Sequence, residues 1–430
     1  MGIRRTRRAF LAIAGASVSG CLGETAGSDA VRWDNRTITR PEYDPLPPEA
    51  NGRRFRPVGR TVDVIGPQSE WSIGPGMRAV PDDGSATESS PAPFRGSRSL
   101  RVEGRGDAPL VAEFDRPVDF RDAHLSAAIY PDKPDNTGPF TATLYAPDPE
   151  NRIVCRGNYH GYFDCGWRRY DFSINDVVGD PDPSRVRAVE LDIADENELT
   201  RYWVDDIRVL PRPDRGKVMF MFDDIAESAF TNGFRILNEF GLRGSYGVIS
   251  DIVGEKKRLS VDQLRRAERA GWDLVSHSKT GERLTDLSSA DQRRYLGTAK
   301  EWLQDHALDP AGAEHFVFPL AKYGRTSLAN VGDFHEMAYI GGRGSAPALT
   351  DRLTIARRPG RRRLPKLRRW LRAAARHRNL LVLVFHTINR DFTDTFRHLA
   401  AKVSRMVERN QIDVITPTEL SALQSRLAAE

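Results

Sequence analysis

Val218-Met219-Phe220-Met221-Phe222-Asp223-Asp224 is the stretch on which the reading of this chain turns. An unbroken apolar run that meets two carboxylates reads as a buried strand whose end delivers polar groups to a surface. The pattern recurs twice. Trp272-Asp273-Leu274-Val275-Ser276 leads into His277, and Leu381-Val382-Leu383-Val384-Phe385 leads into His386. Further strand-like runs lie at 245–249, 315–318, 337–340, 353–356 and 412–415, and most are separated by stretches of helical periodicity such as 261–270 and 290–306. Strand then helix, repeated seven or eight times, predicts an α/β parallel sheet, and that number predicts closure into a distorted (β/α) barrel over about 216–425. Reactive residues in such a barrel belong on the loops at the C-terminal ends of the strands, which is where these carboxylates and imidazoles fall.

Taken singly, each has an ordinary explanation. An Asp pair after a strand is commonly a turn or a helix cap, and a His at a strand end is commonly structural. Three strand ends in this order are harder to explain that way. Phe222-Asp223-Asp224 resembles the first motif of the polysaccharide deacetylase family (the NodB homology domain), Ser276-His277-Ser278 the start of the second, and Val384-Phe385-His386 the last. Residues 234–241 and 264–272 also resemble what the family places after the first motif and before the second.

The resemblance implies metal-assisted hydrolysis of an N-acetyl or O-acetyl group on a polysaccharide or oligosaccharide, with zinc or a similar divalent ion. The metal would lower the pKa of its bound water and polarise the acyl carbonyl. Carried over, Asp223 is the general base, His386 the general acid, and Asp224 and His277 are metal ligands. The chain departs from the pattern in three places. Gly281 stands where the family has a second histidine, leaving the site short of the three protein ligands typical of catalytic zinc. His315, His306 and Glu282 are the candidates to replace it. Ile225 stands where glycine is usual, and Phe318-Pro319-Leu320-Ala321-Lys322-Tyr323-Gly324 lacks the arginine before the proline and the aromatic-glycine pair after it. These changes fit a divergent hydrolase or a catalytically inactive glycan-binding protein on the same fold.

The length of the chain exceeds one typical domain, and a second is expected. Upstream, 53–212 changes to short alternating runs divided by Gly, Pro and Asp, the pattern of an antiparallel β-sandwich. It resembles the jelly-roll modules of the galactose-binding-like class, many of which bind carbohydrate. Trp167, Tyr170 and Trp203 would then form a sugar-stacking platform, the alternative being that they are core. Cys155 and Cys165 are either a disulfide or two free thiols.

Residues 1–21 read as an export signal, basic and then apolar, too short for a permanent membrane span. Thr6-Arg7-Arg8-Ala9-Phe10-Leu11 resembles a twin-arginine signal and Val18-Ser19-Gly20-Cys21 a lipoprotein box, which implies lipidation at Cys21 and a membrane-anchored surface location. Residues 22–52 read as a tether. The formal charge of +5 falls to near neutral without Arg4, Arg5, Arg7 and Arg8, a balance that argues neither for nor against nucleic acid; no nucleic-acid partner is expected. The basic run Arg357-Arg358-Pro359-Gly360-Arg361-Arg362-Arg363, continuing through Lys366, Arg368 and Arg369, reads as a solvated loop and helix face. A site for acidic glycans or anionic lipid headgroups is the alternative.

Overall fold

The computed structural model describes residues 54–427, apart from 57, 64–70, 74–76, 86–89, 105–108, 133–139, 158–164 and 193–199. The expected signal, Cys21 and tether lie outside the described residues. Among the described residues no helix is long and apolar enough to cross a membrane.

Among the described residues, twelve strands build the first half: β1 (Arg60–Asp63), β2 (Trp71–Ile73), β3 (Met77–Asp82), β4 (Ser99–Gly104), β5 (Leu110–Val118), β6 (Ala123–Pro131), β7 (Thr141–Tyr145), β8 (Arg152–Arg156), β9 (Arg168–Asp171), β10 (Ser173–Val178), β11 (Val186–Asp192) and β12 (Thr200–Pro211). They form two antiparallel sheets, ordered β3-β4-β12-β6-β9 with β1 paired to β12, and β10-β8-β7-β11-β5-β2. Leu100, Val102, Leu125 and Ile129 of the first sheet share one core with Leu110, Phe114, Leu144 and Val189 of the second. Period-two apolar residues can be buried only between two such faces, which is why the alternating pattern gives a sandwich.

Two alternatives that the sequence leaves open are decided in this half. Trp167, Tyr170 and Trp203 are not a platform, being at most 4% exposed. Tyr170 lies in the sandwich core, and Trp167 and Trp203 are buried with Phe55 and Phe94 on the outer side of the first sheet. Trp167 donates to the Ala92 carbonyl and Trp203 to the Asp82 carboxylate, so their polar edges are also spent. Cys155 and Cys165 are not joined in a disulfide. Both are buried but in different clusters, the former in the sandwich core and the latter beside Phe316 and Phe318. Burial pushes the Cys155 thiol up to about 12, the property of an inert core residue.

Eight parallel strands make the second half: β13 (Gly216–Asp223), β14 (Ser245–Val248), β15 (Asp273–Ser276), β16 (His315–Val317), β17 (Met337–Gly341), β18 (Ile355–Pro359), β19 (Leu380–Phe385) and β20 (Ile412–Val414). Seven of them close a ring, because β13 pairs with both β19 and β14. The eighth, β20, pairs with the first residues of β13, below the point where β14 joins its last three. Helices α1 (Arg235–Glu239), α2 (Val261–Glu268), α3 (Ser289–His306), α4 (Arg325–Phe334), α5 (Leu364–His377), α6 (Arg390–Glu408) and α7 (Pro417–Leu427) follow the strands in turn, except between β17 and β18.

Strand alternation sets the layers. On β13, Val218, Phe220 and Phe222 pack outward against the helices, while Met219 and Met221 fill the barrel with Val275, Val317, Tyr339 and Val382. Burial of each such side chain contributes roughly 1.5–3 kcal/mol. The helix-free connection 342–354 docks on the sandwich instead. Arg169 donates to Thr350 Oγ1 (2.8 Å), Thr350 N to Asp171 Oδ2 (2.8 Å), and Arg168 to the Tyr323 hydroxyl (2.9 Å). Asn379, just before β19, exchanges hydrogen bonds with both backbone groups of Ile174.

Candidate active site

Period-two alternation that points Met219 and Met221 inward carries Asp223 inward as well, at the C-terminal end of β13, where it is 3% exposed. Gly247 on the neighbouring β14 makes room for it, because a Cβ there would sit 3.2 Å from Asp223 Oδ1. The same parity on β15 brings His277 to the mouth after Val275, and on β19 brings His386 after Val382 and Val384. All four residues expected from the sequence meet here. Asp224 Oδ1 lies 3.4 Å from His277 Nε2, and Asp223 Oδ2 lies 4.0 Å from His386 Nε2.

The four differ in environment. His277 is buried, and its Nδ1 donates to the Val317 carbonyl at 2.9 Å, which leaves Nε2 facing Asp224. Burial pulls its pKa down, but the contact with Asp224 and the charge of Asp223 outweigh burial and leave it above the ordinary histidine value. Asp224 is about one-third exposed. Burial pushes its carboxyl up, while His277, His386 and Arg258 more than offset that, leaving it below the usual carboxylate range. His386 is the open member of the group, with 60% of its side chain exposed.

A fifth residue completes the site, and here the sequence expectation is corrected. Arg357 does not belong to a solvated loop: β18 extends through it, its side chain is buried, and its Nη1 donates to Asp223 Oδ1 at 2.8 Å. Arg357 therefore occupies one oxygen of Asp223 and leaves the other toward His386. Its run of basic neighbours hides it, and the signal that could have found it is positional: Arg357 follows Ile355 at strand spacing.

Backbone strain collects at the same mouth. Asp224, Ile225, Ser278, Leu320 and Ala321 all have φ between 45° and 67°. A β-branched residue such as Ile225 almost never adopts this region, and each instance costs of order 1–3 kcal/mol. The loop that carries Leu320 and Ala321 is braced from the sandwich through the Arg168–Tyr323 hydrogen bond. Leu320 stands out from it, 66% exposed.

None of the candidates for a replacement ligand takes the place of the missing histidine. His315 begins β16, at the opposite end of the barrel. His306 ends α3 and stacks on Trp302. Glu282 is on the mouth loop but exposed, accepting a hydrogen bond from Thr280. Gly281 itself has φ +75°, and a Cβ there would meet Ile249 Cδ1 at 2.6 Å. Of the residues at the mouth, Asp224 and His277 are the pair that could hold a divalent ion. Among the described residues no group of three His, Cys, Asp or Glu side chains encloses a metal position.

Solved structures resemble the chain at low similarity. The Xyl-CE4 domain of a multidomain xylanase from the hindgut metagenome of Trinervitermes trinervoides is 14% identical over 49% of this chain and 92% of that one, with a TM-score of 0.37. A family 4 acetyl xylan esterase from Clostridium thermocellum, in complex with a cobalt ion, is 16% identical over 48% of this chain and 91% of that one (TM-score 0.36). A family 4 pseudoenzyme from Bacillus anthracis is 15% identical over 48% of this chain and 66% of that one (TM-score 0.35). No curated protein matches. Residues 211–337, which hold Asp223, Asp224 and His277 and end before Arg357 and His386, match the family model described as polysaccharide deacetylase.

Proposed function

We propose that the protein is a hydrolase that removes an acetyl group from the amide nitrogen or ester oxygen of a polysaccharide at the barrel mouth. The observation that carries this reading is the division of Asp223: one oxygen is held by buried Arg357, and the other faces exposed His386. In this reading Asp223 takes a proton from a water that attacks the acyl carbon. His386 gives a proton to the leaving nitrogen or oxygen as the C–N or C–O bond breaks, and acetate is released. Arg357 holds the Asp223 carboxylate in orientation throughout. A divalent ion held by Asp224 and His277 would acidify the water and polarise the carbonyl. Leu320 offers an apolar contact to a sugar ring beside the mouth, and the sandwich is the candidate carrier of a further glycan contact. Export and lipid anchoring at Cys21, which rest on the sequence alone, would place this activity on polysaccharide outside the membrane.

The test is acetate release from acetylated xylan and acetylated chitooligosaccharides by the full chain, with each divalent metal supplied in turn. Asp223→Asn is expected to lower turnover by about 10²–10⁴-fold while the chain stays folded. Wild-type protein that releases no acetate with any metal, yet retains glycan, would overturn the hydrolase and leave the second reading, a glycan-binding protein on this fold. Gly281, where the positive φ and the contact with Ile249 disfavour any side chain in place of the missing histidine, is the observation that favours that second reading.

A further inference from the structure

Alternation on β18 has a second result. Arg357 points into the barrel mouth, so Arg358 points outward, toward the sandwich. There it lines a cavity of about 310 Å³ bounded by β8 and β10 on one side and by β19, α5 and residues 343–344 on the other. Small-molecule cavities run from about 300 to 1,000 Å³, so this one suits a single compact group. Its chemistry is one-sided. Arg156, Arg343, Arg358 and Arg369 line it, and among the described lining residues Asp176 alone is acidic. The Arg358 guanidinium donates to Asn175 Oδ1 (3.1 Å) and lies over the Trp370 ring at 4.8 Å, with no carboxylate within ion-pair distance among the described residues. Burial, and then the charges of Arg343, Arg156 and Arg369, bring its pKa down to about 10. Guanidinium groups that converge on a partly enclosed space repel one another, and an anion placed among them relieves that repulsion while accepting their N–H donors.

We propose that this interdomain cavity binds an oxyanion, a carboxylate or sulfate borne by a small molecule or a sugar unit. The site is separate from the barrel mouth, on the opposite face of β18. Its walls come from both halves of the chain, so an occupant would also tie the sandwich to the barrel.

Calorimetric titration of the full chain with glucuronate, sodium sulfate and glucose tests this. Glucuronate or sulfate is expected to bind, with affinity that falls as sodium chloride is added. Arg156→Ala and Arg369→Ala, both at exposed positions that should not disturb folding, are each expected to weaken binding about tenfold. Arg362→Ala, from the exposed part of the same basic run, is expected to leave it unchanged. Binding of glucuronate but not sulfate would assign a sugar-borne carboxylate, and equal binding of both would assign a free oxyanion site. The proposal is overturned if glucose binds as well as glucuronate, if no anion binds, or if neither arginine variant weakens binding. Asp223→Asn should bind normally, so this result stands apart from whether the barrel mouth hydrolyses anything.

Discussion

Two buried arginine–aspartate pairs in this molecule have nearly the same length and burial but different surroundings. Arg169–Asp206 is 2.6 Å long with side chains 2% and 5% exposed, and Arg357–Asp223 is 2.8 Å long with both at 4%. In the first, on the sandwich face against the barrel, Arg169 also donates to Thr350 Oγ1, Ser126 Oγ and the Asp206 carbonyl, and Asp206 is further flanked by Arg95 and Arg208. In the second, among the described residues Arg357 Nε has no partner and Ser250 and Ser278 at the same mouth hold unpartnered hydroxyls, and one oxygen of Asp223 faces an exposed histidine. A closed network spends every lone pair on the fold. The mouth keeps some unspent, and an unspent lone pair on a held carboxylate is what a general base requires.

Removing each aspartate in turn separates the two pairs. Asp206→Ala leaves Arg169 buried without its counter-charge, and the expected loss is about 3–5 kcal/mol of unfolding free energy, read from the urea midpoint. Asp223→Asn keeps a hydrogen-bond acceptor for Arg357, so less than half of that loss is expected. Equal losses would mean that the mouth pair is as structural as the interface pair.

How much of this is legible in the sequence follows from the same physics. Period-two apolar runs that end in Asp223, His277 and His386 announce themselves, because burial fixes which side of a strand each residue faces. The strand–helix order predicts the barrel for the same reason. Arg357 stays hidden, because a run of like charges reads as solvated unless one knows that β18 carries its first members into the barrel wall. The aromatic platform fails differently. Trp167 and Trp203 are covered by Phe55 and Phe94, contacts between segments distant in sequence that no local pattern encodes. The cysteines lie close in sequence but in different cores, which spacing alone does not reveal.

At the far end of the barrel the contrast between open and closed surroundings becomes one of acid response. Burial lowers His315 to about 4, and burial followed by the charge of Lys300 lowers His335 to about 3, so both are neutral in the folded chain at neutral pH. His335 donates from Nδ1 to the Ala313 carbonyl and stacks on Phe316, and neither ring nitrogen of His315 has a partner among the described residues. His277 at the mouth is shifted the other way, above 6.5. The signs are therefore opposite. A histidine whose folded pKa is depressed stabilises the fold above 6.5, and its contribution is lost as acid protonates the unfolded chain first, down to the folded value. A histidine whose folded pKa is raised contributes below 6.5 and loses that contribution as the pH rises through its folded value. His335→Asn separates the two ends, because asparagine can keep the donor to Ala313 but cannot titrate. Wild-type urea midpoints should fall steeply from pH 6.5 to pH 4, and the variant's slope over that window should be shallower by about 1.4 kcal/mol per pH unit. Comparing slopes removes whatever fixed cost the substitution carries. An unchanged slope would mean that His335 takes up its proton without unfolding, and the bottom of the barrel would then be as open to ionisation as the mouth.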